Sequence, residues 1–409
     1  MTSVMHVLPG PWLLHAPFPD LDTHRSVHGD ARPLNLEDLI DVVESCGLRG
    51  RGGAAFPFAT KLRATAASRT RRRHVVVNLS EGEPASLKDL ALTTRQPHLI
   101  LDGASLASHA LGARDVHLVL PSEHPASLES IRNALRERQA EDRAARRHWH
   151  LHSAAPRFVA GEASAVTELI EGRTNLPVTS WEPAAVSGLR GEPTLLSNGE
   201  TYAQLAALAL SGPAVPGTEA EPGTRLLSIR ERSGMTRVAE VPHGTPWHDV
   251  LRPEELSGPV LLGGYHGIWA SAATLERLTV SHTELSTAGL ALGAGVVLPL
   301  SRTDCPLRFT DRVARYLAGQ SAGRCGPCFR GLPALVTAFA RFLDGGPLEP
   351  IEQLAGLVSG RGACAHPTGT ARLIRSALTA FPDEVAAHSA GDCAAPHCAT
   401  EELTLAGAQ

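Results

Sequence analysis

The chain has 409 residues, 43% of them hydrophobic, which at about 150 residues per domain makes two or three domains. Its 38 basic and 42 acidic residues leave a formal charge of −4, excluding the positive field with which nucleic-acid proteins meet phosphates. No apolar run reaches the roughly 18 residues of a membrane span, and no secretory signal opens the chain, so a cytoplasmic location is expected.

Residues 1–35, rich in Pro and His without periodicity, are predicted to form an irregular arm. Asn35 can cap a helix from residue 36 to about 46, with Asp38 at its third position. The glycine-rich stretch GLRGRGGAAF (47–56) follows, then a helix near Lys61. HVVVNL (74–79) reads as a buried strand running into the acidic loop SEGEP (80–84). Residues 97–113 look helical, 116–120 form a second strand, and 127–147 a charged amphipathic helix with a solvated face. GEASAVTELIEG (161–172) is a strand-to-helix turn. Strands alternating with helices predict a Rossmann-like α/β domain over 36–215.

PAVPGTEAEPGT (213–224) is the clearest linker. Beyond it LLSIR, VAEV, VLLGG and GVVLPL, separated by Gly/Pro turns, predict a small β-rich module over 225–302. Four amphipathic segments then predict a helical bundle over 303–385, followed by a tail at 386–409.

Three constellations could carry chemistry. Gly47, Gly50, Gly52 and Gly53 let backbone amides approach a phosphate, beside Arg49 and Arg51. The spacing matches neither the dinucleotide fingerprint nor a P-loop, and an ordinary tight turn is the plain alternative. Only two of the 38 basic residues are lysines, Lys61 and Lys88. Lys61 is a candidate ligand contact and Lys88 a structural ion-pair member. The second constellation is Asn78 with Glu81 and Glu83 at the carboxyl end of a buried strand, where α/β sheets bind ligands; the alternative is a solvated acidic turn. Glu162 at a helix start is a weaker candidate, because the helix dipole also favours an acid there.

The third is the Cys325–Cys328 pair in C-x-x-C spacing, with Cys364 downstream. Seven cysteines in a chain without an export signal suit a reducing compartment and metal or redox chemistry. Zinc, an iron–sulfur cluster and a redox dithiol remain open, as do three unrelated thiols. A fourth ligand could be Cys393, Cys398, Cys305 or His366.

GLRGRGGAAFP, VVNLSEGEPASLKD, AGEASAVTELIEGR, GLRGEPTLLSNGET, RCGPCFRG and RGACAHP occur in the order found in the 51-kDa-type, NADH-binding flavoprotein subunit of respiratory complex I and its relatives in NAD-linked hydrogenases and formate dehydrogenases. The chain resembles that family from about residue 36 to 381. The resemblance implies an α/β domain binding FMN, a small β-grasp (SLBB-like) module and a helical bundle holding a [4Fe-4S] cluster. It implies that NADH is oxidised and that electrons pass through FMN to the cluster and on to other redox subunits, a membrane-associated reductase among them.

By resemblance Gly50, Gly52, Gly53 and Lys61 lie on the FMN phosphate side, Asn78, Asn198 and Thr201 near the flavin, and Glu81, Glu83 and Glu162 along the nucleotide cleft. Cys325, Cys328 and Cys364 match cluster ligands. Several positions depart from the family pattern: Ser80 and Ala163 replace acids, Phe158 a tyrosine, and Ala55 a glycine. Ala322 stands where the first cluster cysteine is found, and a methyl group cannot ligate iron. One of the C-terminal pair, Cys393 or Cys398, is the preferred substitute. A divergent NADH-type oxidoreductase is the leading expectation, and a cofactor-depleted docking paralogue the alternative.

Overall fold

The computed structural model of the chain describes residues 5–68, 70, 72–141, 147–211 and 215–396. Strand β1 (Met5–Val7) and helix α1 (Leu21–His28) come first, then α2 (Leu36–Ser45) and α3 (Phe58–Ala67). Asn35 caps α2 as expected, its side-chain oxygen accepting from the Asp38 N–H at 3.0 Å.

An alternating α/β unit follows: β2 (His74–Asn78), α4 (Lys88–Arg95), α5 (Pro97–Leu111), β3 (Asp115–Pro121), α6 (Pro125–Glu141), β4 (His148–Ala154), α7 (Ala163–Ile170), β5 (Thr194–Asn198) and α8 (Gly199–Ser211). All neighbouring strands run parallel in the order β4-β3-β2-β5. The chain moves from β2 outward to β3 and β4, then returns to place β5 on the other side of β2. The β2/β5 boundary is therefore the topological switch point of the sheet, where a crevice opens beyond the carboxyl ends. β2 is buried on both faces, and α5 and α8 pack beneath it in one apolar core.

Local pattern does not announce β4 or β5. In HWHLHSA four of seven residues are polar, and β4 is an edge strand, so it carries no apolar run. β5, TLLSN, carries only two aliphatic residues.

The β-rich region holds β6 (Thr224–Arg230), β7 (Thr236–Pro242), α9 (Trp247–Val250), β8 (Val260–Leu262), β9 (Ile268–Ala270), α10 (Ala272–Leu275), α11 (His282–Thr287) and β10 (Val296–Pro299). Its mixed sheet has the order β1-β7-β6-β10-β8-β9. Five helices follow: α12 (Pro306–Gly319), α13 (Leu332–Leu343), α14 (Glu349–Val358), α15 (His366–Ala380) and α16 (Pro382–Ser389). α12, α13, α14 and α15 share one core that also takes up Tyr265 and Trp269 of the β-rich region. The boundary expected at 385 falls inside α16.

The amino-terminal arm is the main correction. β1 adds a parallel strand to β7, and α1 is a capped helix rather than irregular chain, with Asp20 accepting from the Thr23 N–H. A distant side chain holds the arm in place. The buried Glu240 carboxylate accepts from the N–H groups of Trp12 (3.2 Å), Leu13 (2.7 Å) and Leu14 (2.9 Å), and from the Thr224 hydroxyl (2.7 Å). A partner more than 200 residues away leaves no trace in local periodicity. Glu240→Ala strands three buried amides and should cost about 3 kcal/mol, read by denaturant unfolding, with early proteolysis within residues 5–28.

Candidate functional site

Asn78 and Asn198 are register partners at the last positions of β2 and β5, so the switch point opens between two carboxamides. Neither swings loosely. The Asn78 side-chain amide donates to the Gly161 carbonyl at 2.8 Å. Asn198 donates to Asp89 at 2.7 Å and accepts from the Lys88 ammonium at 2.7 Å. Lys88 also faces Asp89 (3.1 Å) and Glu200 (3.3 Å), both buried, and their charges hold its pKa above the ordinary lysine value against burial. The second lysine is thus the ion-pair member that was expected.

The glycine-rich loop lies over this crevice. The Gly50 N–H donates to the Phe56 carbonyl, closing the turn, and the Arg51 N–H donates to the Thr201 hydroxyl at 2.9 Å. A side chain at Gly52 would approach Asn198 at 3.5 Å, and Gly53 has φ of 110°, which only glycine adopts without strain. Ala55 adopts φ of 49°, a left-handed conformation that glycine takes with less strain.

Lys61, on the first turn of α3, points its ammonium at the Leu196 carbonyl of β5, 3.1 Å away. Burial lowers its pKa, and no carboxylate among the described residues offsets this. The buried Arg51 guanidinium is pushed down to about 10, by burial first and then by Arg225; its Nε lacks a partner among the described residues. Lys61, a cation that no acid offsets, at a switch point beneath the glycine-rich loop, fits the phosphate end of a flavin nucleotide.

The three acids differ. Glu81, at φ of 45°, turns its carboxylate onto the start of α4, accepting from the N–H groups of Asp89 (2.8 Å) and Leu90 (2.9 Å) and from the Ser86 hydroxyl (2.7 Å). Glu83 accepts from the Tyr265 N–H at 2.7 Å, locking the acidic loop to the β-rich region. Burial raises both, Glu81 to about 7 with help from Asp89, and Glu83 to about 8. Glu162 makes no capping bond to α7 and is raised by burial. It lines a cavity of about 520 Å³ with Glu168, Arg173, Arg190 and Cys364.

Cys325 and Cys328 occupy the connection between the end of α12 and the start of α13, and Cys364 lies just before α15. Cys328 hydrogen-bonds with Cys325 and Ser321, and Cys364 feels the charges of Glu162, Cys328 and Cys325. The three expected sulfurs therefore lie within electrostatic reach of one another, and burial raises the thiols of both Cys328 and Cys364. Burial raises Cys364 to about 12, so metal binding here must displace protons.

The expected fourth ligand is corrected. Cys393 lies with Cys305, Glu384 and His388. Cys305 opens α12, whose 14 residues span about 21 Å, so this group is at the far end of the helix from Cys325. Cys398 lies outside the described residues. His366 donates from Nε2 to the Leu317 carbonyl at 2.8 Å, while its Nδ1 has no partner among the described residues.

Asp89, Glu200, Arg225 and His243 were missed as parts of the site. Their signal was weak but present: Asp89 follows Lys88, and Glu200 lies between Asn198 and Thr201. Arg225 and His243 come from the β-rich region, and only folding brings them to Arg51.

A family model for the Nuo51 FMN-binding domain matches residues 43–207, and one for the iron–sulfur binding region of NADH-ubiquinone oxidoreductase-F matches 308–388; together they span more than half the chain. The F subunit of NADH-quinone oxidoreductase in Mycobacterium bovis is 28% identical, over 94% of this chain and 92% of its own length. The second F subunit of the same enzyme in Rhizobium meliloti is 27% identical, over 86% and 89%. A crystal structure of a NAD+-reducing [NiFe]-hydrogenase in the H2-reduced state superposes with a TM-score of 0.81 at 26% identity, covering 95% of this chain and 68% of that one.

Two outcomes test the geometry. Ala55→Gly removes the left-handed strain and should stabilise the protein by about 1 kcal/mol in denaturant titrations. For Glu83, the unfolded chain ionises near 4.5 while the folded carboxyl keeps its proton to about 8. Stability must then fall as pH rises between those values and level off above them. Glu83→Gln should flatten that slope in thermal melts taken from pH 4 to 9.

Proposed function

Because this chain belongs to the family of 51-kDa-type FMN-binding and iron–sulfur subunits, we propose that it is an electron-transfer flavoprotein. It takes electrons from NADH through FMN to an iron–sulfur cluster and on to a partner redox subunit. The observation that carries this reading is Lys61, a half-buried cation with no acid beside it, under the glycine loop of the switch point.

In this reading residues 36–215 hold the nucleotides, 225–302 form a β-grasp module of the SLBB type, and 303–385 form the cluster-bearing bundle. Residues 1–35 and 386–409 flank them. Lys61 and the amides of Gly50, Gly52 and Gly53 hold the phosphate tail, with the buried Arg51 adding positive potential. Asn78, Asn198 and Thr201 orient the ring system through amide and hydroxyl groups that the chain already holds in place. Glu81 and Glu83 fix the loop between the switch point and the β-rich region, and Glu162 lies between the cleft and Cys364. FMN, when bound, accepts electrons in pairs and releases them singly.

Cys325, Cys328 and Cys364 give the cluster three thiolates, and Ala322 gives none. Phe329 follows Cys328 and is 68% exposed, an apolar side chain beside the sulfurs where a redox subunit could dock. A membrane-associated reductase is one such partner. Among the described residues no helix is long and apolar enough to cross a membrane.

Anaerobically purified protein should show flavin absorption that bleaches on adding NADH; flavin that stays oxidised supports the docking paralogue instead. Lys61→Ala should lower flavin content at least about tenfold, a loss of about 1.4 kcal/mol or more in binding, with an unchanged melting profile of the flavin-free protein. Cys325→Ala should remove iron while leaving flavin bound.

A further inference from the structure

A second sulfur site lies at the other end of the helices. Cys305, Glu384, His388 and Cys393 bring their ligand atoms within 4.8 Å of one another. Cys305 Sγ is 3.4 Å from His388 Nε2 and 3.8 Å from Glu384 Oε2, and Cys393 Sγ is 3.8 Å from the same oxygen. With Zn–S of about 2.3 Å and Zn–N of about 2.0 Å, a tetrahedral ion holds neighbouring donors about 3.3–3.8 Å apart. The four side chains already stand near that spacing.

The histidine is oriented for a ligand. His388 is fully buried, and its Nδ1 lies 2.8 Å from the carbonyl of Leu343, the last residue of α13. A carbonyl only accepts, so Nδ1 carries the proton and Nε2 presents its lone pair to the sulfurs. A ring nitrogen hydrogen-bonded to a backbone carbonyl is the usual support behind a metal-bound histidine. Cys305 caps α12 and accepts from the Arg308 N–H at 3.4 Å; burial outweighs this and raises the thiol to about 11, so a metal binding there displaces its proton.

Three helices hold this site apart from Cys325, Cys328 and Cys364. It gathers the start of α12, the end of α13 and the segment following α15, whereas the other sulfurs gather at the opposite ends. The lengths of α13 and α15, 12 and 15 residues, amount to about 18 and 22 Å. One cluster cannot draw on both groups.

We propose that Cys305, Glu384, His388 and Cys393 form a structural zinc site that ties the carboxyl-terminal turn to the start of the helical region. Two sulfurs, one imidazole and one carboxylate at tetrahedral spacing select zinc over the hard, oxygen-seeking cations. Four protein donors leave no open position, as in a structural centre. The site closes a loop of chain from residue 305 to 393, and Ala395, just beyond it, is buried in the helical core. The inference is independent of whether NADH is oxidised.

The test uses the tag-free full chain, purified anaerobically, with zinc and iron counted per chain. About one zinc is expected beside the iron. Cys305→Ser with Cys393→Ser should lower zinc at least about tenfold and leave iron unchanged, while Cys325→Ala does the reverse. Should the double variant fail to fold, alkylation mapped by mass spectrometry decides on the parent protein. Cys305 and Cys393 should resist labelling until a chelator removes zinc, then react. Three results overturn the proposal: a folded protein that holds no zinc and takes up none when zinc is added, a Cys305–Cys393 disulfide in place of the metal, or loss of iron rather than zinc in the double variant.

Discussion

The cleft depends on one buried ammonium. Lys88 sits among Asn198, Asp89 and Glu200, and removing a buried charge from its partners is far more costly than breaking a surface pair. Through Asn198 it sets the end of β5, through Asp89 the start of α4, and through Glu200 the start of α8. Glu200 in turn accepts from the Leu226 N–H of β6 at 3.0 Å, so the same network anchors the β-rich sheet to the α/β unit. The loops that would contact a nucleotide hang from this charge cluster, and their geometry is set before any ligand arrives.

A second junction joins all three parts of the chain. The Phe158 ring packs edge-on against His266 of the β-rich region at 4.6 Å, and lies tilted against His366 of α15 at 5.5 Å. The Phe158 N–H donates to Gln320 just beyond α12. Glu162, four residues on, acts electrostatically on Cys364. The switch-point crevice and Cys364 are therefore neighbours because a short helical turn, residues 158–161, is wedged between the two regions. Proximity of this kind is what electron transfer between a flavin and a cluster requires.

The helical region has chemistry at both ends. Thiols at 325, 328 and 364 lie on the side of Glu162; those at 305 and 393 meet a histidine and a carboxylate at the far side. Helix length imposes this separation, so Cys393, which has other partners, does not reach the sulfurs at 325, 328 and 364.

The sequence alone determined whatever depends on neighbours along the chain. The Asn35 cap, the buried strand ending at Asn78, the four amphipathic helices and the pairing of Cys325 with Cys328 follow from spacings of a few residues. Ordered motifs also announced the family and the two cofactors. Tertiary structure decided what depends on residues far apart. Glu240 gathers the amino-terminal arm into the β-rich sheet, β5 returns to the far side of β2 to create the switch point, and Arg225 and His243 come to Arg51. The partner of Cys393 was likewise beyond sequence, because a C-x-x-C motif reports which sulfurs are adjacent but not which end of a helix a distant thiol reaches. Local periodicity encodes the faces of elements, and only packing fixes which faces and ends meet.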